Sequence, residues 1–358
     1  MKKQKSFAEL DYFNAIACLL VILIHVLSVG ITSLEKNSLQ MAIVYLPWKL
    51  AAYVVPGFLF TGALKMALGF AGRENRLTPA GYAKYMWRRI LKIYLPYVLW
   101  GGIYYLYFLR IGWVKPGIGV FLRYVFVGDL SSPFYYVVTV MQFYLLMPLW
   151  KWMTEKIPFW AAILTAAMVT HGMLYCEGIL SQIGIAFPWR DRVFPSYLIF
   201  WVLGLYAGKY YDTVRETLKR HTGAVLSLLI PIALYGFGSL WQHAKGIWLF
   251  DGNVIKLFSD CMTICVMLSL CILLADGTCA VVKKPLGFIY RASFTVYLSH
   301  CLFLQIITSA IGALGVTDIG VQLVLRAAMC YTAPFIMWYV WYLMKKATTK
   351  LLQKRKEA

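Results

Sequence analysis

An apolar segment of about twenty residues, Tyr12–Ile31, lies near the start of the chain, and similar segments recur almost to its end. About 20 mostly apolar residues in an α-helix span the hydrocarbon core of a bilayer, whereas a soluble domain of this size could not hide so many such segments from water. The candidates are residues 12–31, 41–69, 93–110, 133–152, 158–176, 194–211, 223–241, 254–275, 291–312 and 319–344. The expected fold class is therefore all-α, a polytopic membrane protein of about ten transmembrane helices. The second segment holds Pro47 and Pro56, so a kink or an interfacial turn is expected there. Composition agrees: 61% of residues are apolar and only 14% charged, with a mean hydropathy of +0.67. Disorder and an ordinary water-soluble globule are both excluded by these values.

The net charge is +20. In a soluble chain that would suggest a nucleic-acid partner; here it reads as loop charge that orients helices, and no nucleic acid is expected. With the N-terminus in the cytoplasm, 24 of the 35 Lys and Arg fall on the inner side, which predicts an even number of crossings and both termini in the cytoplasm. The expected organisation is one transmembrane domain over 7–346 followed by a basic cytoplasmic tail at 347–358. The lysines before Tyr12 imitate a secretory signal, but the apolar run is too long and lacks a small-residue cleavage site, so it reads as a retained first helix. The eight cysteines form no C-x-x-C pair and indicate neither a disulfide framework nor a metal. Cys261 and Cys265, one turn apart, read as helix packing.

Ionisable groups at membrane depth are costly and mark function by default. His25 lies eleven residues beyond Asn14, roughly 16 Å into the first helix. His300 lies nine residues beyond Arg291, roughly 13 Å into the ninth. Two histidines thus reach similar depth on different helices. Each is suited to general-base chemistry near neutral pH, or to a hydrogen bond with a neighbouring helix. Arg88, Arg89 and Lys92 cluster at the cytoplasmic start of the third segment. Arg89 and Lys92 are spaced to share a face, and the cluster suits either phosphate recognition or positive-inside topology. Arg326 sits inside the tenth segment, where it can snorkel outward or pair with an acid such as Asp260 or Asp318. Glu9 and Asp11 suit the positive end of the first helix dipole.

Six pieces of sequence, in order along nearly the whole chain, carry a resemblance. They are L-D-Y-F-N-A-I-A-C-L-L-V-I-L-I-H at 10–25, V-V-P-G-F-L-F-T-G at 54–62 and Y-M-W-R-R-I-L-K-I-Y-L-P-Y at 85–97, then Q-F-Y-L-L-M-P-L at 142–149, F-W-V-L-G-L-Y-A-G at 200–208 and S-F-T-V-Y-L-S-H at 293–300. Together they resemble the bacterial acyltransferase-3 family of integral membrane acyltransferases. The chain departs from the family pattern at Asn14, where an arginine is usual, at Thr61 for serine and at Lys92 for a second arginine.

The resemblance implies transfer of an acyl group, usually acetyl, from acyl-CoA to a hydroxyl on a cell-surface or lipid-linked carbohydrate, in the bacterial plasma membrane and without a metal. It implies His25 as the catalytic histidine, with His300, Asp11 and Tyr297 as further catalytic candidates. Arg88, Arg89, Lys92 and Asn14 become candidates for holding the CoA donor. The implied partners are the lipid bilayer, the glycan acceptor and glycan-synthesis machinery. The competing expectation is an exporter, a flippase or a synthase-complex subunit for an exopolysaccharide. The absence of a visible internal repeat favours the enzyme.

Overall fold

The computed structural model describes residues 7–71, 78–247, 249–278 and 280–357, with the side chains of residues 71 and 350–357 outside that description. Lys2, Lys3, Lys5, Arg73 and Arg76 of the charge count, and Cys279, lie outside the described residues. Among the described residues the chain is all-helical, with no strand.

Among the described residues, seven helical stretches are long and apolar enough to cross a membrane. They are Ala8–Ser33, Leu39–Phe70, Phe159–Gln182, Thr222–Lys245, Gly252–Asp276, Ala280–Ala313 and Ile319–Thr349. The remaining expected spans hold shorter helices. Leu95–Arg110 has 16 residues, and Leu198–Lys209 has 12. The 133–152 region is broken at Leu146 into Tyr135–Leu145 and Met147–Lys156. Pro148 follows the break, and its missing N–H cannot continue the ladder to Tyr144.

The second expected span is interrupted as its prolines suggest, by a 3-10 turn at Ala51–Tyr53 between Leu39–Leu50 and Val54–Ala71. Over the stretch expected as a basic tail the chain is helical as far as Glu357, continuing the helix that begins at Ile319. Its Lys, Leu, Gln and Arg residues are good helix formers, so nothing stops propagation.

The chain divides into two compact units. The first comprises Met1–Ala52, Ser239–Ile247 and Leu274–Ala358. Its centre is the mutual packing of helices Ala8–Ser33, Ala280–Ala313 and Ile319–Glu357. The Cys18 thiol donates to the Ser293 carbonyl across a separation of 275 residues, the same separation as His25 from His300. The first and penultimate helices therefore run in the same direction and in register. The last helix runs antiparallel to the penultimate one: Cys330 meets His300, whereas Trp338 meets Phe288. Tyr331 closes the third side by donating to the Leu19 carbonyl at 2.8 Å.

The second unit comprises Tyr53–Gly238 and Trp248–Leu273. Its strongest association is Val54–Ala71 against Leu198–Lys209. Small residues let membrane helices approach closely, because packing rather than hydrophobic exclusion drives their association. A Cβ on Gly204 would stand 2.2 Å from the Phe60 carbonyl oxygen, and one on Gly208 would stand 2.6 Å from that of Leu64. On the same helix, Trp201 stacks on Phe143 at 4.3 Å. Tyr206 donates to the Ile157 carbonyl at 2.7 Å, tying the following segment to it.

This packing predicts that Gly204→Ala destabilises the protein by about 1–3 kcal/mol through overpacking against backbone. A Cβ on Gly102 would meet nothing within 4 Å, so Gly102→Ala is expected to be neutral or slightly stabilising. Thermal unfolding of the two variants in detergent checks the contrast, and equal midpoints would contradict it.

Candidate active site

Two apolar helices of the first unit each carry one histidine, and the shared register brings their rings together. The His25 and His300 centroids are 5.2 Å apart, with the ring planes tilted by 48°. His300 is fully buried and Cys301 nearly so; His25 is half-buried.

The hydrogen bonding of His300 fixes its chemistry. Its Nδ1 lies 2.8 Å from the Tyr297 carbonyl oxygen and 3.1 Å from that of Val296. A carbonyl only accepts, so Nδ1 carries the proton and donates. In the neutral ring Nε2 is then the acceptor. It faces the Cys301 sulfur at 3.3 Å. The nearest donor atoms of His25, His300 and Cys301 lie within 4.8 Å of one another. The helix is what makes this possible, since residues three and four positions earlier present their carbonyls toward the ring.

Cys330 supports the same turn from the last helix, its thiol directed at the His300 carbonyl at 3.7 Å. Tyr297 is buried, and its ring is centred 6.2 Å from that of His300. Arg326, one turn from Cys330, is buried, and its Nε has no hydrogen-bond partner among the described residues. The two acids considered as its partners are engaged elsewhere. Asp318 accepts from the Val321 N–H at 2.8 Å as a helix cap, and Asp260 pairs with Lys256 one turn away.

Not every residue singled out in the sequence joins this cluster. Asp11 and Asn14 share the helix of His25, but lie roughly 21 and 16 Å from it along the axis. Arg88, Arg89 and Lys92 belong to the second unit. There the expected common face of Arg89 and Lys92 is replaced by a division. Arg89 is half-buried, with its guanidinium over the Tyr144 ring at 4.4 Å and the Tyr85 ring at 5.1 Å. Arg88 and Lys92 are exposed.

The physical reason is a π-helical turn at Ile90–Tyr94, in which the Leu95 N–H reaches back to the Ile90 carbonyl. Pro96 follows and has no N–H to give the Lys92 carbonyl, so the widened turn absorbs the mismatch. Such single π turns are frequent at functional sites.

The same unit contains a cavity of about 590 Å³, lined by Met86, Tyr94, Phe126, Met141, Gln142 and Arg192 among others. Two of its polar side chains are already engaged. The Gln142 amide donates to the Arg192 carbonyl at 2.7 Å and accepts from the Phe194 N–H at 3.1 Å, while Arg192 pairs with Asp129. Most of the remaining lining is apolar, which suits hydrocarbon. Sequence reasoning missed this cavity, because its lining comes from segments far apart in the chain. It also missed Cys301, whose only signal was adjacency to His300.

Fold and site define a multi-pass helical membrane protein with a paired-imidazole centre inside its helices. The chain belongs to the acyltransferase family described as "Acyltransferase domain", which matches residues 7–344. A relative from Bacillus subtilis (strain 168), "Putative membrane-bound acyltransferase YfiQ", is 22% identical over 329 residues, covering 83% of this chain and 81% of its own. No solved structure matches the chain.

The carbonyl contacts predict a single ring form for His300. Nitrogen-15 spectra of histidine-labelled protein in lipid, assigned by comparison with His300→Asn, are expected to show a neutral Nδ1–H tautomer at neutral pH. A resonance of the Nε2–H form would overturn the assignment.

Proposed function

We propose that this protein is an O-acyltransferase of the bacterial plasma membrane. It moves an acyl group, acetyl in the simplest case, from acyl-CoA to a hydroxyl of a cell-surface or lipid-linked carbohydrate. The observation that carries this reading is the His25–His300 pair, 5.2 Å apart inside two apolar helices, in a chain that belongs to an acyltransferase family. In this reading the chain crosses the membrane ten times with both termini in the cytoplasm. Residues 7–346 form the transferase domain, 347–358 the cytoplasmic tail, and glycan-synthesis machinery presents the acceptor.

A sugar hydroxyl is a poor nucleophile until a base takes its proton. His25, the more exposed imidazole, removes that proton as the oxygen attacks the thioester carbonyl. The carbon–sulfur bond then breaks, and the CoA thiolate leaves and recovers the proton from the imidazolium, so the enzyme returns to its starting form. His300 holds an acceptor nitrogen beside the base, oriented by the Val296 and Tyr297 carbonyls. Tyr297 is the candidate donor to the oxyanion that develops in between. Arg89 is pre-oriented by two aromatic rings, and the exposed Arg88 and Lys92 beside it supply mobile positive charge. Together they suit the phosphates of CoA. Asn14 contributes an amide where the family has a charge, and Asp11 a carboxylate at the same helix end.

Mass spectrometry of surface glycans from cells with and without the gene tests the reaction. A missing acyl mass is expected in the deletion, whereas a missing polymer would point to export. His25→Ala is expected to abolish acylation, a loss of at least about 10²-fold, while membrane insertion persists. Retained acylation in that variant removes His25 from the base role. Arg89→Ala is expected to weaken acyl-CoA binding by about tenfold or more, the loss of a charge-assisted contact. Unchanged affinity would return the basic cluster to topology alone.

A further inference from the structure

We infer that His25, His300 and Cys301 form a binding site for a thiophilic divalent transition-metal ion, with Zn²⁺ as the type case. Their donor atoms all lie within 4.8 Å of one another. Around a tetrahedral zinc, ligand atoms stand about 3.3–3.6 Å apart. The His300 Nε2–Cys301 Sγ edge, at 3.3 Å, is within about 0.3 Å of the length that a nitrogen and a sulfur ligand need. Closing the other edges takes a shift of about 1 Å or so by His25, the one member of the three that is not buried.

The surrounding hydrogen bonds favour the same outcome. A metal-bound imidazole usually donates its second nitrogen to a carbonyl or carboxylate, which fixes the tautomer and raises ligand basicity. His300 Nδ1 makes that contact with the Tyr297 carbonyl, leaving Nε2 as the ligand atom. Two imidazoles and one thiolate are a borderline-soft donor set that selects zinc or copper over magnesium or calcium. No carboxylate belongs to the cluster. Three protein ligands leave a fourth position for water or hydroxide. Binding displaces the Cys301 thiol proton to solvent, so one proton is released per ion.

The ion and the base mechanism require the same lone pairs. Occupancy therefore inhibits acyl transfer, and this consequence, unlike the binding itself, rests on the proposed function. The site couples the transferase to the availability of thiophilic metal.

The test uses the full-length protein in lipid nanodiscs, stripped with a chelator. Reloaded with Zn²⁺, wild type is expected to retain one ion per chain after desalting. Loaded with Co²⁺, it is expected to show a sulfur-to-metal charge-transfer band. Cys301→Ser keeps the side-chain size and is expected to lose that band and to bind Zn²⁺ at least tenfold more weakly. His300→Asn is expected to weaken binding by a similar factor. Substoichiometric zinc in wild type, or an unchanged band in Cys301→Ser, overturns the site. In an acylation assay, Zn²⁺ is expected to inhibit wild type and to spare Cys301→Ser. If the metal binds as described but no acylation is detected in any form, the proposed reaction fails and the site stands. If acylation proceeds and no metal binds, the reverse holds.

Discussion

An imidazole inside a membrane helix must satisfy its polar nitrogens without water, and the first unit is arranged around one solution. His300 gives its Nδ1 proton to carbonyls of its own helix. That single commitment decides that Nε2 is the nitrogen left for chemistry. It also fixes the direction of that nitrogen, because the ring can no longer turn without losing its donor contact. The Cys330 thiol on the His300 carbonyl and the Tyr331 hydroxyl on the Leu19 carbonyl then lock the last helix to both histidine-bearing helices. The pairing of His25 with His300 follows from these locks and from the parallel register of their helices. It does not follow from attraction between the rings.

The second unit solves a different problem, which is holding charge next to apolar helices. Arg89 stacks against Tyr85 and Tyr144 and so keeps its cation while losing much of its water. Tyr144 also meets Trp201 edge-on at 6.0 Å, and Trp201 lies on the helix that Gly204 and Gly208 draw against Val54–Ala71. Close helix approach, aromatic stacking and the position of the guanidinium thus form one connected set of contacts. The glycine-marked segment and the Arg89 segment look independent in the sequence, but they share this core.

Much of this was legible from residue types. Apolar runs of twenty residues left few alternatives to membrane helices, and rise per residue alone put His25 and His300 at comparable depth. Other features depend on tertiary geometry. That Arg89 and Lys92 part company could not be read from α-helical spacing, because the π turn before Pro96 changes that spacing. Cys301 looked like one more apolar-helix cysteine until the His300 tautomer placed a lone pair 3.3 Å from its sulfur. The helical continuation past residue 346 was hidden by charge. A run of lysines reads as a solvated tail whether or not its backbone is ordered, since helix propensity and solubility are satisfied by the same side chains.

Asp11 and Asn14 bear most directly on how the proposed reaction is laid out. A helix is stiff over four turns, so neither side chain can be brought to an imidazole roughly 16–21 Å further along the same axis. If they serve the reaction, they serve it at the other end of the donor. An acyl-CoA has the shape for such a division, because its pantetheine arm holds the thioester far from the phosphates. The acyl group belongs with the imidazoles at mid-helix, where water is scarce and a developing oxyanion gains most from a fixed donor. The phosphates belong outside the hydrocarbon, toward a helix end, where water is available. On this layout, replacing the family's arginine by Asn14 costs a charge at the phosphate end and leaves the reacting centre intact. The substitution then alters affinity for the donor more than the chemical step.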